Sequence, residues 1–201
     1  MSEIEAAPHV PQGEVTLLLQ KLAHGEGDAL GELFPMVYSE LRQIARGQRR
    51  RRGSSAVFDT TALLNEAYLR FARREKNLYH HRQHFYAVAA KAMRQILLDE
   101  AKRHLRAKRG SGAQPESLDP ERLKIEEQAE FLVALDRSLE KLGRLKARVR
   151  QVVEYRFFGG LTEEETAEVV GVDARTVRRD WAKARAWLQA DLGLEGALGD
   201  G

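Results

Sequence analysis

The stretch between residues 161 and 188 has the spacing of two short helices joined by a glycine turn. Thr162 and Glu165 stand three positions apart, so each side chain can bond an otherwise unpaired amide at the start of the first helix. Gly171 can adopt the left-handed conformation that ends this helix, and Asp173 can cap the next one. The turn between the two helices is about three residues long, as a helix-turn-helix requires. We therefore predict a helix-turn-helix.

The second helix of this motif combines an apolar face with a basic surface. Val177, Trp181, Ala184 and Leu188 recur at helical spacing, which predicts the buried face. In a helix-turn-helix this helix enters the major groove of DNA, where only the side chains near its start reach base edges. The alternative interpretation of its cations is a solvated helix face. The predicted base-reading residues are Arg175, Thr176, Arg178 and Arg179, and the predicted phosphate-binding residues are Lys183 and Arg185.

Charge is distributed unevenly along the chain. The 201 residues include 33 lysines and arginines and 30 acids, a formal net charge of +3, so affinity for a polyanion has to come from local clusters. Residues 41–52 hold six arginines and no acid, and residues 102–109 hold five cations and no acid. Residues 115–142 hold eight acids and four bases. Basic segments therefore alternate with an acidic one.

Several classes of protein are excluded or disfavoured by the composition. The chain has no cysteine, so it can form neither a disulfide framework nor a thiolate metal site. No apolar run approaches the length of a membrane span, and the first five residues carry two acids where a signal peptide is basic. We therefore expect a cytoplasmic protein without membrane insertion.

No pattern of a catalytic or metal site accompanies the charges. His80 and His84 have the i, i+4 spacing of zinc ligands on a helix, but no third ligand and no HExxH pattern goes with them. The sequence holds no phosphate-cradling glycine loop and no nucleophile elbow. We therefore expect no metal, no cofactor and no enzymatic activity.

Helical periodicity runs through most of the chain, and no strand pattern competes with it. We expect a disordered lead over 1–13, a helical domain over 14–110, a linker rich in glycine, serine and proline over 111–124, a helix-turn-helix domain over 125–192 and a disordered tail over 193–201. The predicted fold class is all-α, with two small helical domains joined by a flexible linker.

The first of these domains ends in a long helix, predicted from Phe85 to about Lys108, with an apolar side and a basic side. A basic stripe on one rigid helix suits a phosphate backbone, although an exposed helix can also carry cations for solubility alone. The residues predicted to face outward and contact DNA are Lys91, Arg94, Gln95, Lys102, Arg103 and Arg106.

Three segments of the chain carry a resemblance to a known family. They are the stretch LLNEAYLR at 63–70, the stretch MRQILLDEAKR at 93–103 with its aspartate Asp99, and the helix-turn-helix at 160–178. In this order they resemble the polymerase-binding helix, the minus-ten promoter helix and the minus-thirty-five reader of bacterial sigma factors of the extracytoplasmic-function group. The resemblance covers residues 15–192, nearly the whole chain.

The resemblance implies a protein that recruits an enzyme and catalyses nothing itself. Its implied partners are promoter DNA and core RNA polymerase, which it would bind at the coiled coil of the beta-prime subunit and at the flap of the beta subunit. Many relatives are also bound by an anti-sigma factor, so such a partner is possible here. The loop at 74–84, with Tyr79, His80 and His81, corresponds to the family's loop that captures an extruded base. The implied polymerase-binding residues are Leu63, Leu64, Asn65, Glu66, Tyr68 and Leu69.

The chain departs from the family's pattern at four positions. Ala62 stands where an acidic residue is common, and Asn65 where glutamine is usual. Val88 and Gln95 replace a frequent tryptophan and a usual asparagine in the minus-ten helix. These departures bear on which promoter sequence is recognised.

A second functional hypothesis is a freestanding helix-turn-helix regulator. It would use residues 125–192 to bind DNA, while the first domain senses a signal. This hypothesis does not explain the resemblance at 63–70 or the basic helix predicted from Phe85 to about Lys108. A pull-down of core polymerase subunits distinguishes the two.

Overall fold

The computed structural model describes residues 12–50, 59–73, 79, 81–110 and 120–193. No strand occurs within these ranges, and the predicted all-α class is confirmed. None of the described helices combines the length and hydropathy that crossing a bilayer requires. In chain order the elements are α1 Gln12–His24, α2 Ala29–Arg50, α3 Thr60–Ala72, α4 Arg82–Gly110, α5 Pro120–Leu145, α6 Ala147–Val153, a π-helical turn Glu154–Phe158, α7 Glu163–Val170 and α8 Ala174–Leu192.

Helices α1 to α4 enclose one apolar core. Asp28 starts α2 as expected, because its Oδ1 accepts a hydrogen bond of 3.1 Å from the amide of Gly31. From there the apolar positions of α2 recur at helical spacing and face α1, α3 and α4. Large side chains that are fully buried in this core are Val15, Leu19, Leu33, Val37, Leu41, Leu63, Leu64, Phe85 and Met93.

Helices α5 to α8 enclose a second core. Leu139 and Leu142 of α5 pack there against Val149 of α6 and Ala184 and Leu188 of α8. A smaller cluster of Val152, Ala167 and Val177 joins α6, α7 and α8. This half therefore holds the helix-turn-helix against a scaffold of two further helices.

The two halves also contact each other, along α4 and α5. Leu98, Ala101 and Leu105 of α4 form an apolar cluster with Ala129 and Leu132 of α5. All five side chains are buried. In the described part of the chain each half therefore has its own core, and a separate apolar cluster connects the two halves.

The π-helical turn lies at this junction. The sequence pattern predicts an uninterrupted α-helix from Ala147 to Phe158, but the last five of these residues form a π-helix. Glu154 and Phe158 are both buried, and the carbonyl of Phe158 accepts a hydrogen bond of 3.2 Å from the side-chain amide of Gln48 in α2. A π-helical turn often marks a functional position, and here it brings the second half against the first.

Several predicted boundaries need correction. The sequence pattern places residues 120–124 in the linker, yet α5 begins at Pro120, whose missing amide hydrogen costs nothing at the first position of a helix. Helix α4 begins at Arg82 rather than Phe85, and α1 begins at Gln12 within the predicted lead. The rest of the linker, most of the lead and the tail beyond Gly193 lie outside the described residues.

Candidate nucleic-acid interface

The capping residues hold the helix-turn-helix in the predicted geometry. The amide of Glu165 donates to Thr162 Oγ1 at 3.1 Å, and the amide of Thr162 donates to Glu165 Oε2 at 2.8 Å, so the capping box is complete. Gly171 ends α7 in the left-handed region, with φ of +74°. Asp173 Oδ1 accepts from the amide of Thr176 at 2.8 Å and caps α8. These three sequence predictions are confirmed.

Gly171→Ala is expected to lower the free energy of unfolding by about 1 kcal/mol, because a Cβ disfavours the left-handed conformation. Thermal or denaturant unfolding of the full chain measures this change. Gly47→Ala is the matched control, since Gly47 lies inside α2 with open space around its Cα, and alanine there should stabilise the helix. A Gly171→Ala variant as stable as the control would contradict the proposed turn.

The apolar face of α8 packs as predicted. Val177, Ala184 and Leu188 are buried, and Trp181 is half-buried with the guanidinium of Arg156 5.3 Å from its ring centroid. This packing fixes the rotation of α8 about its own axis. The opposite side of the helix is therefore left to solvent.

Asp180 is a positioning residue that the sequence pattern did not reveal. Its carboxylate is buried and accepts a hydrogen bond of 2.7 Å from Nε of Arg148 in α6. This hydrogen bond and the charge of Asp180 raise the pKa of Arg148 above its ordinary value. The only hint in the sequence is an acid beside Trp181 on the apolar side of α8. The pair links the recognition helix to the scaffold.

Most of the predicted DNA-contacting side chains of α8 reach solvent. Arg175, Arg178, Arg179 and Lys183 are exposed, whereas Arg185 is half-buried. Thr176 is also half-buried, and its hydroxyl donates to Asp173 Oδ2 at 2.9 Å. Since Thr176 completes the cap, its hydroxyl proton is already engaged. Four of the five predicted cations thus lie on the open surface of the helix.

Arg178 is engaged with the first helix of the motif. Its Nε donates to Glu163 Oε2 at 2.9 Å, and Nη1 of Arg156 donates to the other oxygen of Glu163 at 3.1 Å. The hydrogen bond from Arg178 is the largest of several effects that hold the pKa of Glu163 below its ordinary value. To contact a base, Arg178 therefore has to break its hydrogen bond with Glu163 and form hydrogen bonds with the base edge instead.

The basic helix α4 exposes only part of its predicted set. Lys91, Arg103 and Arg106 are exposed, and Gln95 and Lys102 are half-buried. Arg103 is paired with Glu100 in the preceding turn. The solvent-facing stripe of α4 is therefore narrower than the sequence predicts.

The prediction that Arg94 faces outward is wrong. The residue is 3% exposed, and its Nη1 donates to Asp136 Oδ1 of α5 at 2.8 Å. Its Nη2 lies 3.6 Å from Glu154 Oε1, and its guanidinium lies 5.3 Å from the ring centroid of Phe158. The physical reason is that the second half covers this side of α4. A buried guanidinium requires such partners.

Asp99 joins α4 to α3. Its carboxylate accepts hydrogen bonds from Nη2 of Arg70 at 2.8 Å and from the side-chain amide of Gln95 at 2.9 Å. Partial burial acts to raise the pKa of Asp99, but the hydrogen bonds from Arg70 and Gln95 outweigh it and leave the pKa below its ordinary value. Gln95 is thereby oriented by a protein contact.

The predicted polymerase-binding residues fall into two groups. Asn65 and Leu69 are exposed on α3, while Glu66 and Tyr68 are half-buried. Leu63 and Leu64 are both 0% exposed and lie in the first core. Their assignment as partner contacts is therefore corrected, because neither side chain can reach another protein while α3 is packed.

The histidine-containing segment before α4 is only partly described. Tyr79 is buried, with its ring centroid 5.2 Å from that of Phe85, so the role of stacking on an extruded base does not fit its position. His81 Nδ1 accepts from the amide of His84 at 3.2 Å. Among the described residues no group of three or more metal-ligating side chains comes together, and His80 lies outside them.

Comparison of the chain with known protein families gives one match. The family model described as ECF sigma factor matches residues 12–193 of the 201-residue chain. A comparison with curated proteins gives no match. The matched region includes every described helix, the two basic helices α4 and α8 among them. The chain therefore belongs to the ECF sigma factor family, a family of non-catalytic proteins that act in transcription initiation.

Proposed function

We propose that this protein binds core RNA polymerase and directs it to promoters through two DNA-binding surfaces, one on α8 and one on α4. The observation that carries the proposal is the helix-turn-helix, whose caps and packing leave a row of cations on the outer side of α8. The family match over both halves supports the assignment of the remaining surfaces.

The upstream promoter element is assigned to the start of α8. Arg175, Arg178 and Arg179 are exposed within its first two turns, where side chains of such a helix reach base edges in the major groove. Thr176 lies in the same two turns and is assigned to base contact with these three arginines. Lys183 and Arg185 lie further along α8 and are assigned to phosphates.

The minus-ten element is assigned to α4. Lys91, Arg103 and Arg106 are exposed and can contact phosphates as the helix stands. Gln95 and Lys102 are half-buried, and Arg94 is buried against the second half. Arg94 takes part only after α4 and α5 separate, whereas Gln95 is held by Asp99 within α4 and Lys102 lies beside Asp136 of α5.

The polymerase contact is assigned to the outer face of α3. Asn65 and Leu69 lie one turn apart and are exposed, with Glu66 and Tyr68 at the edges of the same face. An exposed leucine surrounded by polar groups suits an apolar pocket on a coiled coil, here that of the beta-prime subunit. The second half is assigned to the beta flap. Polymerase and promoters are cytoplasmic, and the protein acts there.

Arg178→Ala is expected to lower discrimination at one base pair of the upstream element by roughly 10- to 100-fold, because a bidentate contact to a base is lost. Binding of holoenzyme to promoter variants changed at each upstream position measures the effect. Arg42→Ala is the control, since Arg42 is an exposed arginine on α2. An equal loss on every sequence would make Arg178 a phosphate contact.

Co-purification with core polymerase tests the proposal as a whole. We expect the full chain to form a stoichiometric complex with core enzyme, and that complex to select DNA with two conserved elements at a fixed spacing. A chain that ignores core enzyme and binds its own DNA sequence tightly would contradict the proposal and favour a freestanding regulator.

A further inference from the structure

Gln95 is the one uncharged member of the residue set that we assign to the minus-ten element. It lies on the same face of α4 as Lys91, four positions before it, and Lys102, seven positions after it. Its side chain is half-buried, so part of it reaches solvent on that face. Cations bind phosphates, whereas an amide gains little from a phosphate charge and forms hydrogen bonds to base edges. Gln95 is therefore the member of the set that is suited to reading sequence.

The side-chain amide of Gln95 has a fixed orientation. Its Nε2 donates to Asp99 Oδ1 at 2.9 Å, one turn along the helix. The other carboxylate oxygen of Asp99 accepts from Nη2 of Arg70 in α3 at 2.8 Å. An ionised carboxylate only accepts hydrogen bonds, so the amide nitrogen of Gln95 has to face Asp99. The amide oxygen Oε1 therefore lies on the side away from Asp99.

Asp99 is ionised at neutral pH. Burial acts to raise its pKa, but the hydrogen bonds from Arg70 and Gln95 and the charges of Arg70 and Lys102 outweigh burial, so the pKa lies below its ordinary value. Arg70 is itself placed by Glu66, whose Oε1 lies 3.8 Å from its Nε. Turning the amide of Gln95 over would bring its oxygen against an anionic oxygen with no hydrogen between them, which costs the hydrogen bond and adds repulsion.

An outward amide oxygen distinguishes the four bases by one functional group. Adenine and cytosine carry the amino groups N6 and N4, where guanine and thymine carry the carbonyl oxygens O6 and O4. The amide oxygen accepts a hydrogen bond from either amino group and forms none with either carbonyl. The second hydrogen of the amide nitrogen also suits N7, which lies beside the amino group in adenine. The orientation of the amide therefore favours amino bases.

We propose that Asp99 is a positioning residue for sequence recognition: it holds the amide oxygen of Gln95 outward, so that α4 prefers adenine or cytosine to guanine or thymine at one position of the minus-ten element. This inference rests on the proposed function, which assigns α4 to that element without naming a base. Asp99 acts through Gln95 and makes no DNA contact of its own.

Holoenzyme binding to a promoter library that is randomised through the minus-ten element tests the proposal. Wild type should prefer the amino bases at one position by roughly 5-fold, the effect of about one net hydrogen bond. Gln95→Ala should remove this preference and leave the other positions unchanged, which identifies the position. A library in which Gln95→Ala changes no single position would overturn the proposal.

Asp99→Asn should invert the preference at that position. Arg70 has only donors, so the oxygen of the introduced amide stays with Arg70 and its nitrogen faces Gln95. Gln95 then has to turn its own oxygen inward and its nitrogen outward, where the nitrogen donates to a carbonyl. We therefore expect guanine or thymine to be favoured by a similar factor. A preference that is unchanged, or lost without inversion, would overturn the proposal.

A double variant exchanges the two groups and should restore the wild-type preference. Adding Gln95→Glu to Asp99→Asn puts the carboxylate at position 95 and the amide at position 99. The carboxylate accepts from that amide with one oxygen and presents the other oxygen outward, so amino bases are favoured again. A double variant that keeps the inverted preference would contradict the proposed orientation.

Glu100→Gln is the matched control. It removes one negative charge from the next position of α4, where Glu100 pairs with Arg103, and it leaves the hydrogen bond between Gln95 and Asp99 in place. We expect it to change the affinity for all sequences alike and to keep the preference for amino bases. The preference is a ratio between sequences bound by the same holoenzyme, so a lower yield of folded variant cancels.

The free chain supplies a measurement that does not depend on polymerase. The side-chain amide signals of Gln95 in NMR spectra, identified by their loss in Gln95→Ala, should shift as Asp99 is protonated, at a pH below the ordinary range of an aspartate. Signals that do not follow this titration would overturn the orientation of Gln95 by Asp99.

Failure of this proposal and failure of the proposed function have different signatures. If the holoenzyme forms and Asp99→Asn keeps the wild-type preference, only the role of Asp99 is wrong. If wild type never joins core polymerase, the proposed function is wrong, even where the amide of Gln95 follows the titration of Asp99 in the free chain.

Discussion

Replacing Leu69 by aspartate should weaken binding to core RNA polymerase by about 100-fold or more, because it places a charge in the centre of an apolar contact. Leu69 is 45% exposed on the outer face of α3, so the substitution leaves the first core intact. Titration of labelled core enzyme with the variant measures the affinity, and circular dichroism checks that the chain stays helical.

Leu17→Asp is the control for this substitution. Leu17 is 52% exposed on α1, and no DNA or polymerase contact is assigned to it. We expect the Leu17 variant to bind core enzyme as wild type does. Equal weakening by both substitutions, or full binding by the Leu69 variant, would contradict the assignment of α3.

Leu64→Ala should lower the free energy of unfolding by about 2–5 kcal/mol, the range for truncating a large side chain in a packed core. Leu64 is 0% exposed and lies among the side chains that α1, α2 and α4 direct at α3. Urea unfolding of the full chain measures the loss. The molecules that remain folded should still bind core polymerase.

Leu64→Met separates packing from recognition. It nearly conserves side-chain volume, so we expect a loss below about 1.5 kcal/mol. If Leu64→Ala kept the stability of wild type and lost polymerase binding, Leu64 would be a partner contact after all, as the resemblance implied.

The helix-turn-helix could be predicted from sequence because its determinants are local. Thr162 and Glu165 bond each other across three residues, and Asp173 bonds the amide of Thr176 across three more. Gly171 meets a conformational requirement of its own backbone. Such features depend little on the rest of the fold, so spacing alone identified them.

The surroundings of Arg94 could not be predicted in this way. Its partners Asp136 and Glu154 lie 42 and 60 positions away and reach it only after α5 and the π-helical turn pack on α4. The periodicity of α4 separates an apolar from a basic side, yet it cannot show that an acidic helix will cover part of the basic side. The π-helical turn could not be predicted either, because the apolar residues between Ala147 and Phe158 recur with the period of an ordinary α-helix.

Leu63 and Leu64 show a different limit. Helical spacing places them inward with Ala67 and Phe71, and the structure agrees. The resemblance named the same stretch as a polymerase-binding helix, and it did not say which side of that helix makes the contact. Burial divides the stretch into a core side and an outer side, and only the outer side stays in the proposal.

Start-site mapping after in vitro transcription tests the central claim most directly. Core polymerase would be incubated with a promoter library, with and without this protein, and the 5′ ends of the transcripts sequenced. We expect new start sites that share two upstream elements and disappear without the protein. A complex with core enzyme that initiates at no new site would contradict the account.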